Sequence, residues 1–224
     1  MQPRTTSRHK VAIVDDHPIV RQGISQLIDQ EEDMVTCCQA SSAQEAIEMT
    51  ARCVPDILLV DISLDGISGI ELIKMLRQHN IKSPVLIISM HDESLYAERA
   101  LRSGAKGYVM KQEATEKVLT AIRQVLRGEI YLSERMQSKI LQRVINGEEG
   151  GLSAIDLLSD RELEVFRLIG LGYSTSDIGR ELKRSVKTVE THRAHLKDKL
   201  GLKNASELTH FAVQWIEQEK SNPP

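Results

Sequence analysis

Ile57-Leu58-Leu59-Val60-Asp61 is the stretch on which the fold turns. Four consecutive apolar residues, bounded by Pro55-Asp56 and by an acid, are too short for a helix and read as a strand buried on both faces, as in parallel sheets covered by helices. Four similar runs lie around it, at Val11–Val14, Val35–Gln39, Val85–Ser89 and Gly107–Met110. Between and after them Ile19–Asp29, Ala43–Arg52, Gly69–His79, Ser94–Ser103 and Thr115–Arg127 carry apolar residues three and four apart, which predicts helices. Strand and helix therefore alternate as a (βα)5 unit around a parallel five-stranded sheet, an α/β architecture.

The whole chain has room for more than this unit. Its 224 residues suit two ordinary domains, and 41% hydrophobic with 27% charged residues excludes disordered, collagenous and fibrous classes. The formal charge is −3, so any nucleic-acid surface must be local. Cys37, Cys38 and Cys53 match neither a disulfide framework nor paired Cys-x2-Cys zinc ligands, and free thiols in a reducing compartment are expected. Met1–Lys10 has basic residues with no apolar run behind them, and every long apolar run is strand-sized. Neither a signal peptide nor a membrane span is expected, and the predicted location is cytoplasmic.

Beyond Leu132 the pattern is helical only. A helix over Glu134–Ile145 is followed by Asn146-Gly-Glu-Glu-Gly-Gly151, a flexible linker by composition. Ser159-Asp-Arg-Glu162 matches a capping box, Leu171-Gly172 a helix end, and Asp177–Leu182, Val186–Leu200 and Ala205–Glu219 further helices. The predicted division is residues 9–130 for the α/β domain, 131–154 for a linker helix and linker, and 155–220 for an all-α domain.

Chemistry in a parallel sheet gathers beyond the carboxyl ends of its strands. Asp15 and Asp16 follow the first strand and Asp61 follows the third, which is its neighbour in the flavodoxin-like order 2-1-3-4-5. Unit charges about 4 Å apart repel by ~4 kcal/mol at an effective dielectric of ~20, so such a cluster calls for a cation or raised pKa values. Mg2+ suits oxygen ligands and bridges to phosphate. Ser89 and Lys111, at the ends of the fourth and fifth strands, add a hydroxyl donor and a cation, which completes a phosphoryl-binding set around a carboxylate able to act as a nucleophile.

Asp15-Asp16, Asp61, Ser89, Tyr108 and Lys111, in that order on those strand ends, resemble the receiver domain of two-component response regulators over about 120 residues. The resemblance implies that Asp61 is the phosphoacceptor and that Asp16 and Asp61 ligate magnesium. It also implies that Asp15 holds metal-bound water and that the Ser63 carbonyl completes the shell. Ser89 and Lys111 then meet the phosphoryl oxygens, and Tyr108 is the switch aromatic. His17 and His91 lie nearby in sequence and receive no metal role.

Between Lys183 and Lys203 seven basic residues face two acids, a balance of 7 − 2 = +5. On Val186–Leu200 the residues Val189, Leu196 and Leu200 form one stripe, with Lys187, Thr191 and Ala194 opposite. A short helix, a turn and a basic helix form the helix-turn-helix arrangement that enters the major groove. Leu158-Ser-Asp-Arg-Glu-Leu-Glu-Val, Ser185-Val-Lys-Thr-Val-Glu-Thr-His and Lys199-Leu-Gly resemble the LuxR-type DNA-binding domain, so the chain as a whole resembles a NarL/FixJ-class response regulator. By position Glu190, Thr191 and Ala194 are implied to face base edges, and Lys187, Thr188, His192, Arg193 and Lys197 the DNA backbone. Many relatives carry a basic residue where Glu190 and Ala194 stand.

The implied function is Mg2+-dependent phosphorylation of Asp61 by a sensor histidine kinase, controlling binding to double-stranded promoter DNA and transcription. A homodimer, when phosphorylated or on DNA, and RNA polymerase are the further implied partners; a membrane is not. An aspartate-based phosphatase would need a second acid two residues after the nucleophile, where Ser63 stands, so no enzyme is expected. A DNA-binding protein whose receiver serves only as a dimerisation module would not need the full acidic set.

Overall fold

The computed structural model describes residues 8–113, 115–145 and 154–221, and it divides into two compact units, Met1–Leu141 and Gln142–Pro224. The linker expected at Asn146–Gly151 lies outside the described residues.

In the first unit β1 (His9–Val14), β2 (Met34–Ala40), β3 (Ile57–Val60), β4 (Val85–Ser89) and β5 (Gly107–Met110) form one parallel sheet in the order β2-β1-β3-β4-β5. The helices between them are α1 (Pro18–Asp29), α2 (Ala43–Cys53), α3 (Gly69–Gln78), α4 (Glu93–Ser103) and α5 (Thr115–Leu126). β3 is buried at every position, as its unbroken apolar run requires. Val11, Ile13, Ile57, Leu59, Leu86, Ile88 and Val109 turn to one face and pack with Ile28 of α1 and with Val118, Ala121, Ile122 and Val125 of α5. Each of the Val, Leu and Ile side chains, fully buried, contributes roughly 1.5–3 kcal/mol. α6 (Glu134–Ile145) follows, with Ser133 before it tied to Glu93 through its amide at 2.9 Å.

The register of the ladders is what builds the rim. Val14 pairs with Val60 and the Asp61 amide donates to the Val14 carbonyl at 2.9 Å, so Asp15 and Asp61 emerge side by side. Ser89 pairs with Met110 and the Lys111 amide donates to the Ser89 carbonyl at 2.7 Å, which brings the lysine out beside them. Gly69 opens α3 directly against this rim: a Cβ there would run into the Asp61 carbonyl oxygen.

One expectation is corrected. Cys38 and Cys53 are disulfide-bonded, with Cα atoms 6.8 Å apart, and Cys37 is the free cysteine. The reason is a bulge that the apolar pattern does not reveal. Thr36 faces Val11 and Cys38 faces Ala12, so Cys37 is an extra residue in β2 with no partner opposite. Adjacent strand residues normally point to opposite faces, whereas here the Sγ atoms of Cys37 and Cys38 are 3.3 Å apart.

In the second unit a 3-10 turn (Ala154–Leu157) leads into α7 (Asp160–Gly170), α8 (Thr175–Glu181), α9 (Val186–Leu200) and α10 (Ala205–Ser221). The capping box is present: Ser159 Oγ accepts from the Glu162 amide and Glu162 accepts from the Ser159 amide. Phe166 of α7 is fully buried, with its ring 5.7 Å from Phe211 and 5.4 Å from Trp215 of α10. Leu208, Ala212 and Ile216, spaced four apart along α10, are buried. The turn after α8 folds back so closely that a Cβ on Gly179 would lie 2.9 Å from the Arg184 carbonyl oxygen.

Candidate functional site

At the carboxyl ends of β1, β3 and β5 the Lys111 ammonium stands between two buried carboxylates, 2.6 Å from Asp15 Oδ2 and 2.8 Å from Asp61 Oδ2. Asp15 is fully buried and Asp61 is 2% exposed. Burial pushes the Asp61 carboxyl above the usual aspartate range, with Asp15 adding to the shift and Lys111 opposing it. Burial alone would lower the lysine, but the two carboxylates outweigh it and hold its pKa raised. Asp61 Oδ1, also buried, is the oxygen that Lys111 does not hold, and the Ser63 amide at this carboxylate opposes the upward shift.

Asp16 lies at the same rim and is half-buried. Asp15, Asp16, His17 and Asp61 offer ligand atoms within 4.8 Å of one another. Ser63 Oγ and His91 Nε2 are 2.7 Å apart. Ser89 is fully buried, with Oγ accepting from the His91 amide at 3.2 Å. Tyr108 is 1% exposed; its hydroxyl donates to the His91 carbonyl at 2.9 Å, and burial pushes its pKa up. The tyrosine thus already points inward. All the receiver residues singled out in the sequence, Asp15, Asp16, Asp61, Ser63, Ser89, Tyr108 and Lys111, stand at this rim or directly beneath it.

Two residues at the rim receive no role from the sequence. His17 Nδ1 is 3.3 Å from Asp15 Oδ1 and 2.7 Å from Asp16 Oδ1, and His91 joins Ser63, Ser89, Tyr108 and the Tyr96 ring, whose centroid is 4.9 Å away. The signal that could have found them is position: His17 directly follows the acid pair and His91 stands two residues after Ser89.

The second candidate surface is α9. Ser185 caps it by accepting from the Thr188 amide, and Val189 and Leu196 are buried. Lys187, Glu190, Thr191 and Ala194 are exposed; Thr188, Arg193 and Lys197 are half-buried. His192 is turned inward, with Nδ1 buried and without a hydrogen-bond partner, and burial lowers its pKa. Lys199 Nζ reaches Glu162 Oε2 at 2.7 Å and so ties the end of α9 to the start of α7. Burial would raise the Glu162 carboxyl, but Lys199 and Ser159 outweigh it and hold the pKa lowered.

Comparison with known proteins agrees with both halves. Residues 11–123 match the response regulator receiver domain and residues 156–212 the bacterial regulatory proteins of the luxR family. The oxygen regulatory protein NreC of Staphylococcus haemolyticus is 36% identical over 210 residues, covering 92% of this chain and 97% of that protein. A two-component response regulator of the LuxR family from Aurantimonas is 33% identical, with a TM-score of 0.58 over 62% of this chain and 99% of its own. RcsB of Salmonella enterica serovar Typhimurium, solved on the promoter rprA with the phosphomimetic BeF3−, is 26% identical, with a TM-score of 0.59 over 92% of this chain and 99% of its own. With both family matches in chain order and a relative matched over nearly its full length, the chain belongs to the two-component response regulators that join a receiver to a LuxR-type DNA-binding domain.

Proposed function

We propose that Asp61 accepts a phosphoryl group from a sensor histidine kinase and that this modification controls promoter binding through α9. The observation that carries the reading is the state of one carboxylate. Asp61 is buried at a strand end, with Oδ2 held by Lys111 and Oδ1 outside that ion pair. An Asp61 oxygen forms the new bond to phosphorus as the bond from phosphorus to the kinase imidazole breaks, and the imidazole leaves with the electron pair. Lys111 moves from Asp61 towards a phosphoryl oxygen, and the Ser89 hydroxyl donates to another. Tyr108, packed beneath them, then holds the rim formed by β4 and β5 in the modified state.

Three of the four donors gathered at the rim are carboxylates and His17 is the one nitrogen, an oxygen-rich and negatively charged set that fits a hard divalent cation. Asp15, Asp16, Asp61 and the Ser63 carbonyl would hold magnesium, which supplies positive charge to the transferring group. The chain acts as a regulator and not as an enzyme on a separate substrate. Its receiver spans residues 9–130, the linker helix and linker 131–154, and the DNA-binding domain 155–220. Glu190, Thr191 and Ala194 face base edges, while Lys187, Thr188, Arg193, Lys197 and the outer edge of His192 meet the DNA backbone. One recognition helix reads too few bases for useful specificity, so the DNA-bound species is a homodimer on two half-sites, with RNA polymerase as the downstream partner. Among the described residues no helix is long and apolar enough to cross a membrane, and the proposed place of action is the cytoplasm.

Intact-mass measurement after incubation with acetyl phosphate and magnesium tests the reading. The wild-type chain should gain one phosphoryl group and Asp61→Asn none. Undiminished phosphorylation of Asp61→Asn would refute the assignment.

A further inference from the structure

We propose that Cys38 and Cys53 are a reversible dithiol–disulfide pair open to low-molecular-weight disulfides, with Cys37 as an adjacent thiol that stays out of the bond. Three sulfurs meet on the outer edge of the sheet: Cys37 Sγ lies 3.3 Å from Cys38 Sγ and 3.7 Å from Cys53 Sγ. Nothing in the phosphoryl chemistry uses them. They converge because the bulge turns Cys37 towards the side of Cys38 and because α2 ends on Cys53.

The fold brings these sulfurs together without help from the bond. β2 is held by its ladder to β1, and α2 is capped at its start by Ser42, which accepts from the Glu45 amide. Cα atoms 6.8 Å apart stand at the outer end of the separation that disulfides span, so the same frame also accommodates two thiols. All three cysteines are half-buried, within reach of a small reagent. Burial pushes the Cys37 thiol up, which lowers its thiolate fraction near neutral pH. A bond between adjacent Cys37 and Cys38 would close a small ring that an extended strand does not favour. The pairing therefore joins strand to helix.

The compartment comes from the proposed function: a protein acting on chromosomal DNA works where thiols are kept reduced, and disulfides found there are transient or redox-sensing. A thiolate of the pair attacks an oxidised low-molecular-weight disulfide, forms a mixed disulfide and releases one small thiolate. The second thiolate of the pair displaces the other small thiolate and closes the Cys38–Cys53 bond. Two protein thiols are oxidised, one small disulfide is reduced to two thiols, and the two protons of the protein thiols pass to the small thiolates.

The test equilibrates the full chain in buffers of reduced and oxidised glutathione, traps free thiols with a maleimide, and counts labels by intact mass. Three labels are expected at the reducing end and one at the oxidising end, with peptide mapping joining Cys38 to Cys53. Cys37→Ser should keep the transition. Cys38→Ser and Cys53→Ser should each abolish it, leaving at most glutathione adducts. Three labels at every ratio, one label even at the most reducing ratio, or a mapped bond containing Cys37 would each overturn the proposal. The assay counts thiols and not phosphoryl groups, so its outcome is independent of the role of Asp61.

Discussion

Lys111 and Lys187 carry the same ammonium group into opposite surroundings. The first is 7% exposed and stands between Asp15 and Asp61; the second is exposed on the first turn of α9. At the receiver rim charges are taken out of water, so each stays only if its neighbours compensate it, and the ladder register decides who those neighbours are. On α9 the charges remain solvated, and their partner is a molecule that arrives later. Removing a rim charge should therefore act on the folded chain itself, and removing a helix charge only on the complex.

The largest expected effect is at Lys111. Lys111→Ala leaves two buried carboxylates facing each other and should lower unfolding stability in urea by about 3–5 kcal/mol near neutral pH without magnesium. The sign with pH differs between the two partners. The raised lysine pKa gives wild type a contribution that is full below 10.5 and lost only as pH rises through the folded value. Asp61, raised above 3.8, loses stability as pH rises through its own folded value, so the variant should regain part of the loss at a lower pH, as pH falls towards 3.8. Magnesium should also restore part of it, because the lysine is assigned to the phosphoryl group and not to the metal. Equal stability of variant and wild type at both pH values would remove the contrast between rim and helix.

The same contrast explains what was legible in the sequence. Ile57–Val60, Val85–Ser89 and Gly107–Met110 are strands with the bounds their apolar runs gave, because burial on both faces leaves no room for polar residues. The rim acids and lysine were legible because a strand end fixes where the next residue points. The Cys37 bulge was not, since an extra residue in one strand changes the facing of neighbours without changing composition. His17 and His91 were legible only as neighbours of the rim residues in sequence, since which groups they meet depends on the loop and side-chain conformations there. On α9 the buried Val189 and Leu196 follow from helical period, yet which exposed side chain meets which base depends on the DNA.

Glu190 sharpens the helix side of the comparison. Its carboxylate can accept from a cytosine N4 amino group, so Glu190→Ala should alter preference at one position of each half-site by ~1–3 kcal/mol while leaving unfolding stability unchanged. Selection on randomised duplexes reads this directly, and an unchanged motif would remove Glu190 from the base-reading set. A selected site with a single half-site would refute the dimer.

Glu162 is the test case in between, a buried acid in the DNA-binding domain whose partner Lys199 is 40% exposed. Glu162→Gln can keep the bond to the Ser159 amide and loses only the charge, so the expected cost is about 1 kcal/mol, less than a fully buried pair would give. Wild type should hold this contribution above 4.5 and lose it as pH falls through the lowered folded value, whereas the variant should show no such acid limb. Trp215, the chain's one tryptophan, packs on Phe166 and lets fluorescence follow this unit alone. A loss comparable to that at Lys111 would show that burial of one partner suffices to make a pair behave like the rim.

The smallest effects belong to Lys187 and Lys197. Each ammonium that replaces a counterion at a phosphate adds about 0.9 to the slope of log affinity against log salt, irrespective of sequence. Lys187→Ala and Lys197→Ala should therefore weaken specific and random duplexes alike and flatten that slope by ~1 for every phosphate left without its ammonium in a half-site. The two should differ in one respect. Lys187 is exposed at the start of α9, where its removal touches only the DNA, while Lys197 is half-buried in the last turn, where a cation also complements the helix dipole by roughly 0.3–1 kcal/mol. Trp215 fluorescence during urea unfolding should consequently report no change for Lys187→Ala and a small loss for Lys197→Ala. If Lys187→Ala instead destabilises the unit, or leaves the salt slope unchanged, the exposed cation is not waiting for a phosphate, and the division between buried charge that serves the fold and solvated charge that serves the partner fails at the residue where it is cleanest.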